Sequence, residues 1–186
     1  MNTLLNIVCI LWFVSEILLN RLVRSSATDR PKADRNTLRL IWIVVLLSIF
    51  GAYYLARSTR FPIGDAEVMG YTGMALIALG VICRLLVIRS LGRLFTVDVT
   101  IREGHVLKTD GVYAYLRHPS YAASLLSFIG FGLSLNNVLA LALVTVAIFF
   151  VFIRRIQVEE AVLVQQFGDD YRAYQRKTRR LIPFVY

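Results

Sequence analysis

Two polar clusters stand at the ends of one apolar hairpin. Arg117-His118-Pro119-Ser120-Tyr121 comes directly before an apolar run, and Arg154-Arg155-Ile156-Gln157-Val158-Glu159-Glu160 follows the run that returns. Only Asn136-Asn137 separates the two runs, so they read as a helical hairpin whose ends lie on the same side of a bilayer. The clusters then meet at one membrane face, where an enzyme would join a lipid-dissolved acceptor to a water-dissolved reagent. Arg offers a planar fork for a carboxylate, and Glu can accept hydrogen bonds from ribose hydroxyls or an ammonium. Arg155 and Glu159 stand one helical turn apart on one face. As a simple intrahelical ion pair they would contribute at most about 0.2–0.5 kcal/mol, in the less favourable order. Pro119 suits a first helical turn and pushes His118 out of the helical region. Tyr113, Tyr115 and Tyr121 lie near His105 and His118, the two histidines of the chain. Their ring faces could hold a compact organic cation such as a sulfonium, at about 0.5–2 kcal/mol, or form an interfacial aromatic belt.

The rest of the chain must position these groups. With 57% hydrophobic residues and a mean hydropathy of +0.62, it exceeds the apolar share of a soluble domain, roughly 45–50%. A bilayer core needs about 20 apolar residues per helix, and residues 4–19, 40–56, 68–88, 120–135 and 138–153 supply five such segments. The first and the last two are short, so flanking polar residues or local thinning must serve their ends. The expected fold class is an all-α integral membrane protein with about five transmembrane helices, a C-terminal helical hairpin and a cytoplasmic catalytic tail. Residues 1–186 read as a single membrane domain. Within it, residues 1–88 form a three-span scaffold that shapes a lipid site, and residues 89–186 hold a cofactor loop, the hairpin and the tail helix.

A net charge of +9 could suggest nucleic acid, but its distribution points to orientation instead. The basic residues gather in the segments after the first and third spans and after the fifth, whereas the opposite side holds Arg57 and Arg60. This positive-inside bias predicts an N-terminus outside and a C-terminus in the cytoplasm. The membrane would be the plasma or inner membrane of a prokaryote, or the endoplasmic reticulum of a eukaryote. Expected contacts are membrane lipids, anionic ones included, with no nucleic acid. Cys9 and Cys83 fall inside apolar spans, and no Cys/His spacing suits a metal, so no metal is expected. Residues 1–10 lack a basic region and Glu16 interrupts the first apolar run, which argues against a cleaved signal peptide.

Gly70, Gly73 and Gly80 on the third span, and Ser124, Ser127, Gly130 and Ser134 on the fourth, give small faces for close helix packing. Glu16 and Arg84 are ionisable groups within spans and so are functional candidates, with a mutual ion pair as the plainer reading. Residues 96–101 alternate like a short strand. Phe167-Gly168 ends the fifth helix, and Asp169-Asp170 can cap a further short helix carrying Tyr171 and Tyr174.

As a spaced set, His105-Val106-Leu107, Gly111-Val112-Tyr113, Arg117-His118-Pro119-Ser120-Tyr121, Glu159-Glu160, Phe167-Gly168, Tyr171, Tyr174 and Leu181-Ile182-Pro183 resembles the isoprenylcysteine carboxyl methyltransferase family, over roughly residues 85–186. The resemblance implies a helical membrane bundle whose last two spans and flanking segments enclose S-adenosylmethionine. It implies cofactor contacts from His105, Val106, Leu107, Lys108, Tyr113, His118, Pro119, Ser120, Tyr121 and Glu159, with Arg155 facing the acceptor carboxylate. Arg155 and Glu159 are the expected catalytic pair, and the expected acceptor is a lipidic or prenylated carboxylate such as a prenylated cysteine. Ala123 stands where relatives often have Gly, which would narrow the cofactor or lipid entrance. A carboxylate is already ionised at neutral pH, so methyl transfer to it needs alignment and removal of water rather than a base. The rival readings are a phospholipid or amine N-methyltransferase, with Glu160 or His118 as base, a nicotinamide-dependent membrane reductase, and a non-catalytic membrane adaptor.

Overall fold

A computed structural model describes residues 2–22, 35–92 and 107–182. Among the described residues, six α-helices follow one another: α1 (Asn2–Leu22), α2 (Arg35–Ser58), α3 (Ala66–Leu91), α4 (Pro119–Ser134), α5 (Val138–Phe167) and α6 (Asp169–Lys177). A 3₁₀ turn, Gly111–Ala114, precedes α4. By length and composition, Thr37–Ser58, Ala66–Leu91 and Val138–Phe167 can each cross a membrane. The apolar part of α1, Thr3–Leu19, is shorter. At 16 residues, α4 reaches only about 24 Å, less than the roughly 30 Å of a bilayer core. Of the five expected spans, three therefore meet the length criterion. As expected, the fifth apolar segment continues as one unbroken helix of 30 residues to Phe167, which carries the second polar cluster rigidly beyond the apolar run.

Small residues decide how α3 and α4 pack. A Cβ on Gly73 would lie 2.5 Å from the Gly130 carbonyl oxygen and 2.6 Å from Ser134 Cβ, and one on Gly80 would lie 2.6 Å from the Ala123 carbonyl oxygen. Only glycine lets the two backbones approach this closely. Ser127 Oγ donates to the Ile77 carbonyl across the same seam at 3.2 Å. Ala123 is buried with its carbonyl against Gly80, so its side chain lies at this seam rather than at an open entrance. Around it, Trp12 of α1 meets Phe128 edge-on at 4.9 Å, and Val144, Ile148, Phe152 and Ile156 of α5 complete the core. Apolar side chains such as Leu47, Phe50 and Phe150 point outward, as lipid-facing positions do. Glu16 and Arg84 pair at 3.2 Å, which is the plainer of the two readings of those residues.

Two connections close the end of the bundle far from the polar clusters. Asn136, at φ 48°, accepts the Ile63 and Gly64 N–H groups at 3.0 and 3.1 Å. Asn137 caps α5 by accepting the Leu139 and Ala140 N–H groups, and its amide donates to Thr59 Oγ1 at 3.0 Å. The α2–α3 and α4–α5 connections are thus joined side by side.

At the other end, α5 stops at Phe167 because Gly168 turns the chain at φ +55°. Gly168 is itself the residue before α6, and no side-chain cap is present there. Asp169 and Asp170, expected to cap, occupy the first turn instead, where carboxylates suit the helix dipole. The segment after α6 returns to the start of α4: Leu116 and Arg179 form a parallel bridge, and the Arg117 N–H donates to the Arg179 carbonyl at 2.8 Å. The strand-like stretch expected over 96–101 lies outside the described residues.

Candidate functional site

The two polar clusters meet where α4 begins and α5 leaves its apolar run. His118 precedes α4 at φ −126° and ψ 58°, the non-helical conformation expected of a residue before proline. Its buried ring stands between the two consecutive carboxylates of α5. Nδ1 lies 3.8 Å from Glu159 Oε1, and Nε2 lies 3.4 Å from Glu160 Oε1.

The two glutamates have different surroundings. Glu160 has a side chain only 5% exposed. Its Oε1 accepts from Arg117 Nε at 2.7 Å, and its Oε2 accepts from Arg180 Nε at 2.9 Å and Gln175 Nε2 at 3.3 Å. Arg117 also donates to the Gln175 and Thr178 carbonyls. Burial pushes the Glu160 carboxyl upward, but hydrogen bonds from His118 and Arg117 and the charges of both outweigh it, bringing the group down to about 2. A carboxylate shared by two guanidiniums is a poor proton acceptor, so Glu160, one of two bases considered for an amine acceptor, serves as a latch between α4, α5 and the returning tail. Glu159 is open by comparison, with a side chain 32% exposed, and it accepts from the Tyr121 hydroxyl at 3.2 Å.

Arg155, one turn before Glu159, is 1% exposed and donates to the Thr37 hydroxyl of α2. Its guanidinium also acts on the Tyr121 hydroxyl. The Tyr121 hydroxyl thus interacts with both the cation and the carboxylate, and its ring centre lies 5.9 Å from that of His118 and 5.2 Å from that of Phe152. Tyr113 completes the wall. It is buried, and burial together with the Glu159 charge raises its phenol well above the ordinary value. Its carbonyl accepts from the Tyr174 hydroxyl at 2.6 Å. Burial pushes Tyr174 itself up to about 12, so it remains a neutral hydrogen-bond donor.

Of the expected site residues, Tyr113, His118, Tyr121, Arg155 and Glu159 come together. Pro119 is buried in the first turn of α4, and Ser120 beside it is partly buried. Leu107 lines a separate cavity of about 470 Å³ with Ala114, Tyr174 and Thr178. Lys108 pairs with Asp110 at 2.9 Å. His105 and Val106 lie outside the described residues. Sequence reasoning missed Thr37 as the partner of Arg155, because nothing local links positions in α2 and α5. It also missed the latch formed by Arg117, Glu160 and Arg180. The adjacent Glu159-Glu160 pair was a usable signal for the latter, since neighbouring helical residues point in directions about 100° apart and must meet different surroundings.

The chain is similar to known proteins over most of its length. The phospholipid methyltransferase family model matches residues 68–170, which include both clusters. A probable protein-S-isoprenylcysteine O-methyltransferase of Oryza sativa subsp. indica is 30% identical over 145 residues, covering 76% of each chain. Protein-S-isoprenylcysteine O-methyltransferase B of Arabidopsis thaliana is 38% identical over 146 residues, covering 77% of this chain and 73% of its own. Among solved structures, the eukaryotic intramembrane Ras methyltransferase, isoprenylcysteine carboxyl methyltransferase, is similar with a TM-score of 0.60 at 28% identity. That similarity covers 82% of this chain, which spans about half (54%) of the solved one. On the extent of these matches, and with its two polar clusters inside the matched region, the chain belongs to the isoprenylcysteine carboxyl methyltransferase family of membrane methyltransferases.

Proposed function

We propose that the chain transfers a methyl group from S-adenosylmethionine to the carboxylate of a prenylated cysteine or similar lipidic acid, forming a methyl ester at the membrane–cytoplasm interface. The observation that carries this reading is the pairing on α5 of a buried guanidinium, Arg155, with a partly open carboxylate, Glu159, both interacting with the Tyr121 hydroxyl. The donor set fits S-adenosylmethionine. Glu159 can receive hydrogen bonds from a ribose or an ammonium, and the faces of Tyr113 and Tyr121 favour a cation. When bound, that cofactor supplies an electrophilic methyl group on a sulfonium centre. Arg155 holds the acceptor carboxylate in line, its fork matching two oxygens. Too firm a grip would stabilise the ground state as much as the transition state. The surrounding apolar side chains exclude water, and no proton has to be removed from an ionised carboxylate.

The other expected cofactor contacts, His105, Val106, Leu107 and Lys108, would come from the loop before the 3₁₀ turn. The single-domain organisation stands with the same reading, residues 1–88 shaping the lipid site and residues 89–186 the cofactor site. Five crossings are favoured, with α1 and α4 as short spans. The joined α2–α3 and α4–α5 connections support this, since they lie at one end of the bundle while the charged clusters lie at the other. Cysteines introduced at Asn137 and Lys177 should then react with impermeant reagents from opposite sides, and labelling of both from one side would defeat the topology.

The chemistry is tested by incubating purified protein with methyl-labelled S-adenosylmethionine and a small S-prenylated cysteine, then treating the product with base. Release of labelled methanol is the expected result. Label that survives base would mean an amine acceptor and overturn the ester reading. Calorimetry should give saturable cofactor binding that a chelator leaves unchanged.

A further inference from the structure

We infer that Thr37 of α2 is a positioning residue for the acceptor, holding the Arg155 guanidinium in the orientation that grips the carboxylate. The inference rests on the role given to Arg155 above and adds a residue from the half of the chain that carries no family motif. Arg155 is 1% exposed and Thr37 is also buried, and Arg155 Nη1 donates to Thr37 Oγ1. A buried guanidinium needs partners for its donors, and the choice of partner decides what charge remains. A carboxylate in place of Thr37 would cancel the cation and compete with the acceptor. A hydroxyl satisfies one donor without adding a negative charge. The same guanidinium acts on the Tyr121 hydroxyl of α4. The hydrogen bond from α5 to α2 thus constrains the planar group.

Thr37 stands in the first turn of α2. Its hydroxyl oxygen accepts from α5 across the bundle. The packing of α2 on α5 thus becomes part of the acceptor site.

Thr37→Val removes the hydroxyl at nearly constant volume, and Thr37→Ser keeps it. Both are compared with wild type and with Arg155→Lys. The measurements are kcat and KM for a small S-prenylated cysteine at saturating S-adenosylmethionine, cofactor Kd by calorimetry, and thermal melting in detergent. Loss of alignment should lower the kcat of Thr37→Val by roughly ten- to a hundredfold, with cofactor Kd unchanged and only a modest fall in melting temperature from the lost buried hydrogen bond, while Thr37→Ser turns over like wild type. Thr37→Ala repeats the measurement should Thr37→Val fail to fold. Wild-type kcat in the variants lacking the hydroxyl, with Arg155→Lys inactive, overturns the role of Thr37 and leaves that of Arg155 standing. Loss in Thr37→Ser with wild-type turnover in Thr37→Val assigns the effect to packing of the methyl group and also overturns it. Wild-type turnover in Arg155→Lys removes the reading on which the inference rests.

Discussion

The two ends of the helical bundle solve one problem, the joining of separate connections, with opposite chemistry. At one end Asn136 and Asn137 bind the α2–α3 connection and cap α5 through neutral amides and backbone groups. At the other, Glu160 draws Arg117, Arg180 and Gln175 onto one carboxylate. Neutral amides suffice where only turns have to be held. At the charged end a strong latch frees the adjacent Glu159 from structural duty, leaving it partly open beside Tyr121 and His118. The lesson is a division of labour between neighbouring residues: Glu160 fixes the tail, and Glu159 faces the site.

Removing Glu160 tests this difference most severely. Glu160→Ala leaves Arg117 buried without its carboxylate, and breaking such a pair costs about 3–5 kcal/mol. The tail after α6 should become sensitive to protease and the melting temperature should fall. A tail as resistant as in wild type would refute the latch. Acid should act in the same direction and less strongly, because a protonated carboxyl still fills the site. The folded Glu160 carboxyl lies at about 2, below the unfolded value of about 4.3. Its contribution is therefore complete above the unfolded pKa and is lost as pH falls from there towards 2. Melting curves over that range should slope downward in wild type, and the slope should be shallower in Glu160→Gln. Identical slopes would mean that other carboxyls govern acid stability.

Glu159→Gln sharpens the contrast within the charged end. Losing a charge-assisted hydrogen bond removes about 1.5–3 kcal/mol, so S-adenosylmethionine affinity should fall roughly ten- to a hundredfold, with melting unchanged. A loss of stability without a loss of affinity would reverse the two glutamates. The smallest effect belongs to the neutral end. Asn137→Ala removes a helix cap, at about 1 kcal/mol, and should lower the melting temperature slightly without altering cofactor binding. A drop as large as that of Glu160→Ala would erase the distinction between the two ends.

Much of this was legible from residue order alone. Hydrophobic run length marks the helices, because a bilayer imposes a minimum apolar length. Pro119 and Gly168 mark boundaries through backbone restrictions that act locally. The spacing of Tyr113, His118, Tyr121, Arg155 and Glu159 along a hairpin sets them at one end of the bundle. Tertiary structure decided what each charge touches. That Glu160 rather than Glu159 binds Arg117 and Arg180, and that Arg155 reaches Thr37 more than a hundred residues earlier, depends on how helices rotate about their axes and pack. Gly73 and Gly80 against Gly130 and Ala123 set that packing for α3 and α4. Periodicity specifies which face of a helix is apolar, whereas the partner of a buried polar group follows from three-dimensional close packing and the requirement that its hydrogen bonds be satisfied.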